Sequence, residues 1–233
     1  MVPIAHMAIR MPSARALGRI LQLGNANLPV GAFAYSEGLE TLVQQGVLAN
    51  GKDLRQWIEE YLRFGPVRLE AVALWRMHGA ATMRDLQVLE YWDAWLAASR
   101  ESEELGLQNR QMARALWRLL QELAGPERAI LHESPSQYVT AFAVISAHAG
   151  LSTEDSVFTY MHSWLSNLIV AGVRLVPLGQ SEGQKILWEM QDALEGSINF
   201  AESATAEDLY SWNCGLALAS MQHETLHSRL YRS

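Results

Sequence analysis

Apolar residues recur at three- and four-residue spacing along almost the whole chain, and no sustained alternation of period two interrupts them. Leu54, Trp57, Ile58, Tyr61 and Leu62 form one stripe that stops at Gly65-Pro66, a pair that ends one helix and starts another. Val72, Trp75 and Gly79 carry the next helix, and Leu86, Leu89, Trp92 and Leu96 mark a third. Leu105, Met112, Leu116, Leu119, Leu120 and Leu123 run to Gly125-Pro126, a strong stop. Residues 127–135 read as a mid-chain loop. Tyr138, Phe142, Ile145 and Ala149 then share a face closed by Gly150. Ser152 and Asp155 have capping-box spacing ahead of Val157, Met161, Trp164, Leu165 and Leu168. Ser181 and Gln184 repeat it before Ile186, Leu187, Met190 and Leu194, and Thr205 and Asp208 more loosely before Leu209, Trp212, Leu216 and Ala219.

This pattern predicts an all-α fold, a single-domain helical bundle of roughly nine or ten helices, with no Gly/Ser-rich linker and no clear internal repeat. Residues 1–16 read as a flexible N-terminal arm, 17–222 as the helical domain and 223–233 as a C-terminal tail. Two connections stand apart. Asn25 to Ser36 is largely apolar, yet Pro29 and Gly31 disfavour a helix there, and Ala171 to Gln180 has the same character around Pro177. Surface loops are ordinarily polar, so apolar ones need cover, either from neighbouring helices or from a partner protein.

Composition narrows the class. The chain is 49% hydrophobic and 18% charged, which is globular rather than disordered. A net charge of −7 argues against nucleic-acid binding, which rests on neutralising phosphates. No apolar run approaches the ~20 residues that span a bilayer, and the Arg-, Pro- and Met-rich N-terminus lacks the apolar core of a signal peptide. The single cysteine, Cys214, excludes an internal disulfide and suits a reducing, cytoplasmic location. Eight tryptophans and nine methionines read first as core filling between helices.

The most tempting chemistry is His223-Glu224-Thr225-Leu226-His227, an H-E-x-x-H match. On a helix it sets two imidazoles one turn apart for zinc, with the Glu as base. Only six residues follow His227, whereas thermolysin-like sites need a further Glu well downstream and metzincins a third His; an upstream third ligand is open but has no motif behind it. The remaining histidines, His6, His78, His132, His148 and His162, show no ligand spacing. These histidines and Cys214 therefore offer no convincing metal-ligand set. Cys214 reads as a buried, inert thiol within a helical pattern. Glu101, Glu103 and Glu104 with Arg100 and Arg110 read as helix-face pairing. No phosphate loop, nucleophile elbow or dinucleotide fingerprint is present. No catalytic residue and no metal ligand is expected.

Four segments together resemble the urease accessory protein F (UreF) family. They are Asn27-Leu28-Pro29-Val30-Gly31 leading into Tyr35-Ser36-Glu37-Gly38-Leu39-Glu40; Ser99-Arg100-Glu101 with Glu104-Leu105 and Asn109-Arg110; Ala171 to Gln180; and His223-Glu224-Thr225 with Ser228-Arg229-Leu230-Tyr231-Arg232-Ser233. Each alone is weak, but the ordered set is specific and spans nearly the whole chain. The resemblance implies an all-α, usually homodimeric protein without enzymatic activity. It would bind the accessory protein UreD or UreH, recruit the nickel GTPase UreG and serve nickel delivery to apo-urease, with a role in gating GTP hydrolysis. Nickel would be cargo, with no firmly bound cofactor.

The resemblance also places partner-binding residues. They are Leu28, Pro29, Gly31, Phe33, Tyr35 and Glu37 in the N-terminal motif, and His223, Glu224, Arg229, Leu230, Tyr231 and Arg232 in the tail. Arg174 and Pro177 join them from the third segment, where shaping a buried helix junction is the alternative. Arg and Tyr are enriched at interface hot spots, and the tail's positive charge stands out in an acidic chain. Two departures matter. Where the family usually carries Tyr, this chain has His227, so H-E-x-x-H looks coincidental; where many relatives carry Tyr, it has Phe33, losing a hydroxyl but keeping a ring.

Overall fold

The computed structural model describes residues 12–125, 131 and 133–233. Among these residues it is all helical. The α-helices are α1 (Ala14–Leu23), α2 (Leu39–Gln44), α3 (Gly51–Phe64), α4 (Pro66–Met83), α5 (Leu86–Ala98), α6 (Glu103–Ala124), α7 (Tyr138–His148), α8 (Thr153–Leu175), α9 (Gln180–Glu189), α10 (Gln191–Ser203) and α11 (Cys214–His223). Short 3-10 turns occupy Ala32–Ala34 and Ala206–Asp208.

Most starts are set by side chains that take an otherwise unpaired amide of the first turn. Ser13, Asn50, Asp85, Ser102, Ser152 and Asn213 each accept such a bond. Gly65 closes α3, and Pro66, whose missing N–H costs nothing in a first turn, opens α4. The bundle is organised around α4, which packs against α3, α5, α7, α8 and α10. In α7 every residue from Tyr138 to Ser146 is buried, and α4 is buried on most sides. Neither helix is strongly amphipathic, as expected of elements enclosed all round.

The structure has eleven α-helices among the described residues, slightly more than the periodicity predicts. The six-residue α2 is too short to show a period, and the stripe from Ile186 to Leu194 divides at buried Met190 into α9 and α10. Gly179, not Ser181, stands at the start of α9. Thr205 and Asp208 do form a capping box, but it closes a 3-10 turn, and Leu209 and Trp212 lie in the connection before α11. That connection is held by Arg68, which stacks over the rings of Phe200 and Tyr210 and donates to the carbonyls of Asp208 and Tyr210.

Other expectations also change. The apolar stretch Ala171 to Gln180 is mostly helix: α8 continues to Leu175 because Gly172 lets it close directly onto Leu54 of α3. The helical domain begins earlier than residue 17, since Ser13 caps α1 at Ala14; the arm's residues 1–11, including His6, lie outside the described residues. So do residues 126–130 and 132 of the expected mid-chain loop, His132 among them. Trp57, Trp75, Trp92, Trp95, Trp117 and Trp164 fill or flank the core, whereas Trp188 and Trp212 are exposed. No helix among the described residues is long and apolar enough to cross a membrane.

Candidate partner-binding face

The C-terminal tail is folded onto the domain. After α11 the chain turns at Thr225 and Leu226, runs back along α2 and α6, and joins the segment around Ser36. The Arg232 amide donates to the Ala34 carbonyl at 2.8 Å, and the Ser36 amide and hydroxyl donate to the Ser233 carbonyl at 2.7 and 2.5 Å. The Ser233 hydroxyl donates to Gln108 of α6 at 2.7 Å. Tyr231 and Ser233 are buried, so the tail is part of the domain's packing.

Two acidic side chains organise this arrangement. Glu40 of α2, itself buried, accepts the amides of Leu230 (2.7 Å) and Tyr231 (2.9 Å) and lies 3.2 Å from His223 Nε2. Glu104 of α6 accepts Arg229 at 2.7 Å and lies 2.8 Å from His223 Nδ1. His223 has no exposed surface, and each ring nitrogen faces a carboxylate oxygen. Both contacts are hydrogen bonds when both nitrogens carry hydrogen. Arg229 also reaches the Glu224 carbonyl, which closes a loop around the end of α11.

This geometry does not support the zinc-hydrolase alternative. α11 ends at His223, with Glu224 as its C-cap, so His223 and His227 are not one helical turn apart. His223 is committed to Glu40 and Glu104, while His227 is exposed. Among the described residues no group of three or more His, Cys, Asp or Glu side chains is disposed to hold a metal ion. Cys214 is exposed rather than buried, because the buried stripe of α11 runs through Leu216, Ala219, Ser220 and His223 and leaves the helix's first residue outside.

The N-terminal motif supplies the other half of the face. Leu28, Val30, Tyr35 and Ser36 are buried, whereas Pro29 is exposed and Phe33 is 64% exposed. Gly31 (φ 78°), Glu37 (φ 52°) and Gly38 (φ 82°) take left-handed backbone. At Gly38 an added Cβ would also lie 3.1 Å from the Ser220 amide nitrogen, so this position disfavours a side chain on two counts. The Tyr35 hydroxyl donates to Gln111 of α6 at 2.7 Å, with Arg232 beside it.

The turn at Glu37 aims its carboxylate inward. It accepts from the Tyr61 hydroxyl (2.7 Å), Trp164 Nε1 (3.0 Å) and Gln108 Nε2 (3.2 Å). Burial and the nearby charge of Glu70 raise its pKa above the ordinary carboxylate value, with the three donors acting in the opposite sense. A cavity of about 50 Å³ separates Glu37 from Glu70 and is lined also by Tyr35, Asn109, Tyr160 and Asn167. Behind it Glu70 pairs with Arg100 at 2.5 Å and accepts from the Tyr160 hydroxyl at 2.6 Å. Arg100 donates further to Gln137 and Asn109. Burial opposes its charge, but Glu70 more than offsets that.

Arg100 therefore does not pair along a helix face with Glu101, Glu103 or Glu104. It sits in the junction between α5 and α6, where its side chain turns inward to Glu70, while Glu104 serves the tail. Arg110 shares no ion pair with those three either. Glu70 was open to detection in the sequence: a lone carboxylate within Val67–Leu74, buried on both sides, requires a buried partner.

The structure brings most of the expected site residues together. Leu28, Tyr35, His223 and Tyr231 are buried supports, and Gly31 and Glu37 shape the backbone. Pro29, Phe33, Glu224, Arg229, Leu230 (67% exposed) and Arg232 reach the surface. Arg174, near the end of α8, is exposed beside the Tyr231 hydroxyl. Pro177 stands apart in the connection to α9, next to Leu178, which packs toward Gly51 of α3.

The chain is thus an all-helical domain whose folded-back tail and N-terminal motif share one face. The UreF family model matches residues 48–191. A urease accessory protein UreF of Microcystis aeruginosa is 48% identical over 214 residues, covering 92% of this chain and 96% of that protein. UreF of a Nostoc species is 44% identical (92% and 94% covered), and that of Alkalilimnicola ehrlichii 36% (92% and 95%). The chain belongs to the UreF family of urease accessory proteins.

Proposed function

We propose that this chain is a non-catalytic docking component of urease maturation. It would bind a UreD/UreH-type protein through the face shared by the N-terminal motif and the tail, and in that complex recruit the UreG-type nickel GTPase to apo-urease. The observation that carries this reading is the mutual fixing of the two segments. Buried Tyr231, Ser233 and Ser36 hold the backbone, while Phe33, Leu230 and Arg232 are left at the surface. Exposed apolar and Arg side chains on an ordered backbone bind with little ordering entropy to lose. Nickel is cargo in this reading, the chain holds no cofactor of its own, and it acts in the cytoplasm.

The UreF relatives are named urease accessory proteins, which supports the pathway. A homodimer, and an effect of the assembly on GTP hydrolysis, are further parts of the proposal. Sedimentation of the isolated chain tests the first, and GTP turnover by the UreG-type protein with and without this chain tests the second. For the binding face itself, the Phe33→Ser/Leu230→Ser double variant should lose at least tenfold in affinity for the UreD/UreH-type protein while its helicity stays unchanged. Equal affinity in a folded variant would remove these residues from the interface.

A further inference from the structure

We infer that the outer face of α6 is a second docking surface, shaped for an acidic protein surface. Arg110, Arg114 and Arg118 stand at successive four-residue intervals, all exposed, along about 12 Å of helix at 1.5 Å per residue. Among the described residues none of the three forms an ion pair. Like charges at this spacing repel one another, so the arrangement works against the isolated helix. It does not serve the helix dipole either, because the last turn of α6 contains no basic residue. In a chain of net charge −7, three successive arginines on one helix face, between exposed Glu103 and Glu122 at its two ends, are a local basic excess.

The ridge continues into the face already described. Leu107, one turn earlier, is 46% exposed, and Gln108 and Gln111 on the neighbouring strip of α6 are bonded to Ser233 and Tyr35. Phe33 lies two residues before Tyr35 and Arg232 immediately before Ser233, the two residues that these glutamines bond. Arginines interleaved with exposed Leu and Phe match the composition of protein interfaces. Three charges on an acidic protein are few for a nucleic acid or an anionic membrane. The occupant is therefore a carboxylate-rich protein surface, reached by electrostatic steering and held by Arg–carboxylate bonds.

This inference rests on the proposed binding role and deepens it. The test is the association of the full-length protein with the UreD/UreH-type protein and then the UreG-type GTPase, over a range of salt concentrations. The Arg110→Glu/Arg114→Glu/Arg118→Glu variant should associate at least tenfold more slowly with one of these partners and show a flattened salt dependence, at unchanged helicity. Should that variant misfold, the single Arg114→Glu change, at an exposed mid-helix position, should still lose at least threefold. Wild-type kinetics and salt dependence in a folded variant would overturn the inference and leave the proposed function standing. Loss of self-association with partner binding intact would reassign the ridge to contacts between copies and overturn it equally. A folded wild-type chain that binds neither partner would instead remove the proposed function, and this inference with it.

Discussion

Glu70 and Arg100 form a largely buried charge pair, and neither can be removed alone without stranding the other. Breaking a buried pair of this kind costs about 3–5 kcal/mol. Arg100→Ala and Glu70→Ala should each lower the stability measured by urea unfolding by that order. Tyr160→Phe, which removes one donor to Glu70 and leaves the pair, should cost only about 1–2 kcal/mol. Equal losses for all three would mean that the pair is not the stabilising unit.

Histidine burial sets the sign of a pH effect. His78 is buried in α4, its Nδ1 bonded to Thr153 and its Nε2 without a partner. Burial lowers its pKa below 6.5, a backbone contact with Leu151 acting in the opposite sense, and burial lowers His162 likewise. A histidine lowered on folding binds its proton more readily in the unfolded chain. Its contribution is intact above about pH 6.5 and is lost as pH falls through the folded-state value. The share of the unfolding free energy that these two histidines supply should therefore decline from pH 6.5 downward, against the opposite effect of the raised carboxyls of Glu37 and Glu101. His78→Gln should remove part of that decline. An unchanged slope in the variant would assign the effect elsewhere.

At the scale of elements, the tail is the piece whose order was hardest to read from sequence. The stripes of α3, α6 and α8 were visible because helical period is local, and the Gly65-Pro66 and Gly125 breaks were visible for the same reason. The contacts that fix the tail join Glu40 to Tyr231 and Ser36 to Ser233, far apart in the chain, and no periodicity reports them. The family resemblance located the tail and the N-terminal motif but could not separate supports from surface residues. Tyr231→Ala should accordingly cost about 2–4 kcal/mol of stability, since it empties a buried aromatic site. Leu230→Ala, at an exposed position, should change stability by no more than about 0.5 kcal/mol. The reverse order would show that the tail is not docked in solution. Gly38→Ala should also destabilise, by roughly 1 kcal/mol or more, because the left-handed backbone strains any side chain and the Ser220 amide crowds a methyl group.

At the scale of the whole molecule, the chain spends its buried polar groups on shape. Glu37, Glu40, Glu70, Glu104, Arg100 and His223 are each satisfied by partners from distant segments. They fix how the tail, the N-terminal motif and α6 meet. The H-E-x-x-H pattern belongs to that network, with His223 as its hinge and His227 outside it. Family membership connects the molecule to urease accessory proteins.

The most direct measurement is co-purification of this chain with a UreD/UreH-type protein and a UreG-type GTPase, each folded, followed by size exclusion. The account predicts that the GTPase elutes in a complex with both when the UreD/UreH-type protein is present, and that Phe33→Ser/Leu230→Ser abolishes that peak without loss of helicity. Separate elution of all three folded wild-type proteins would contradict it.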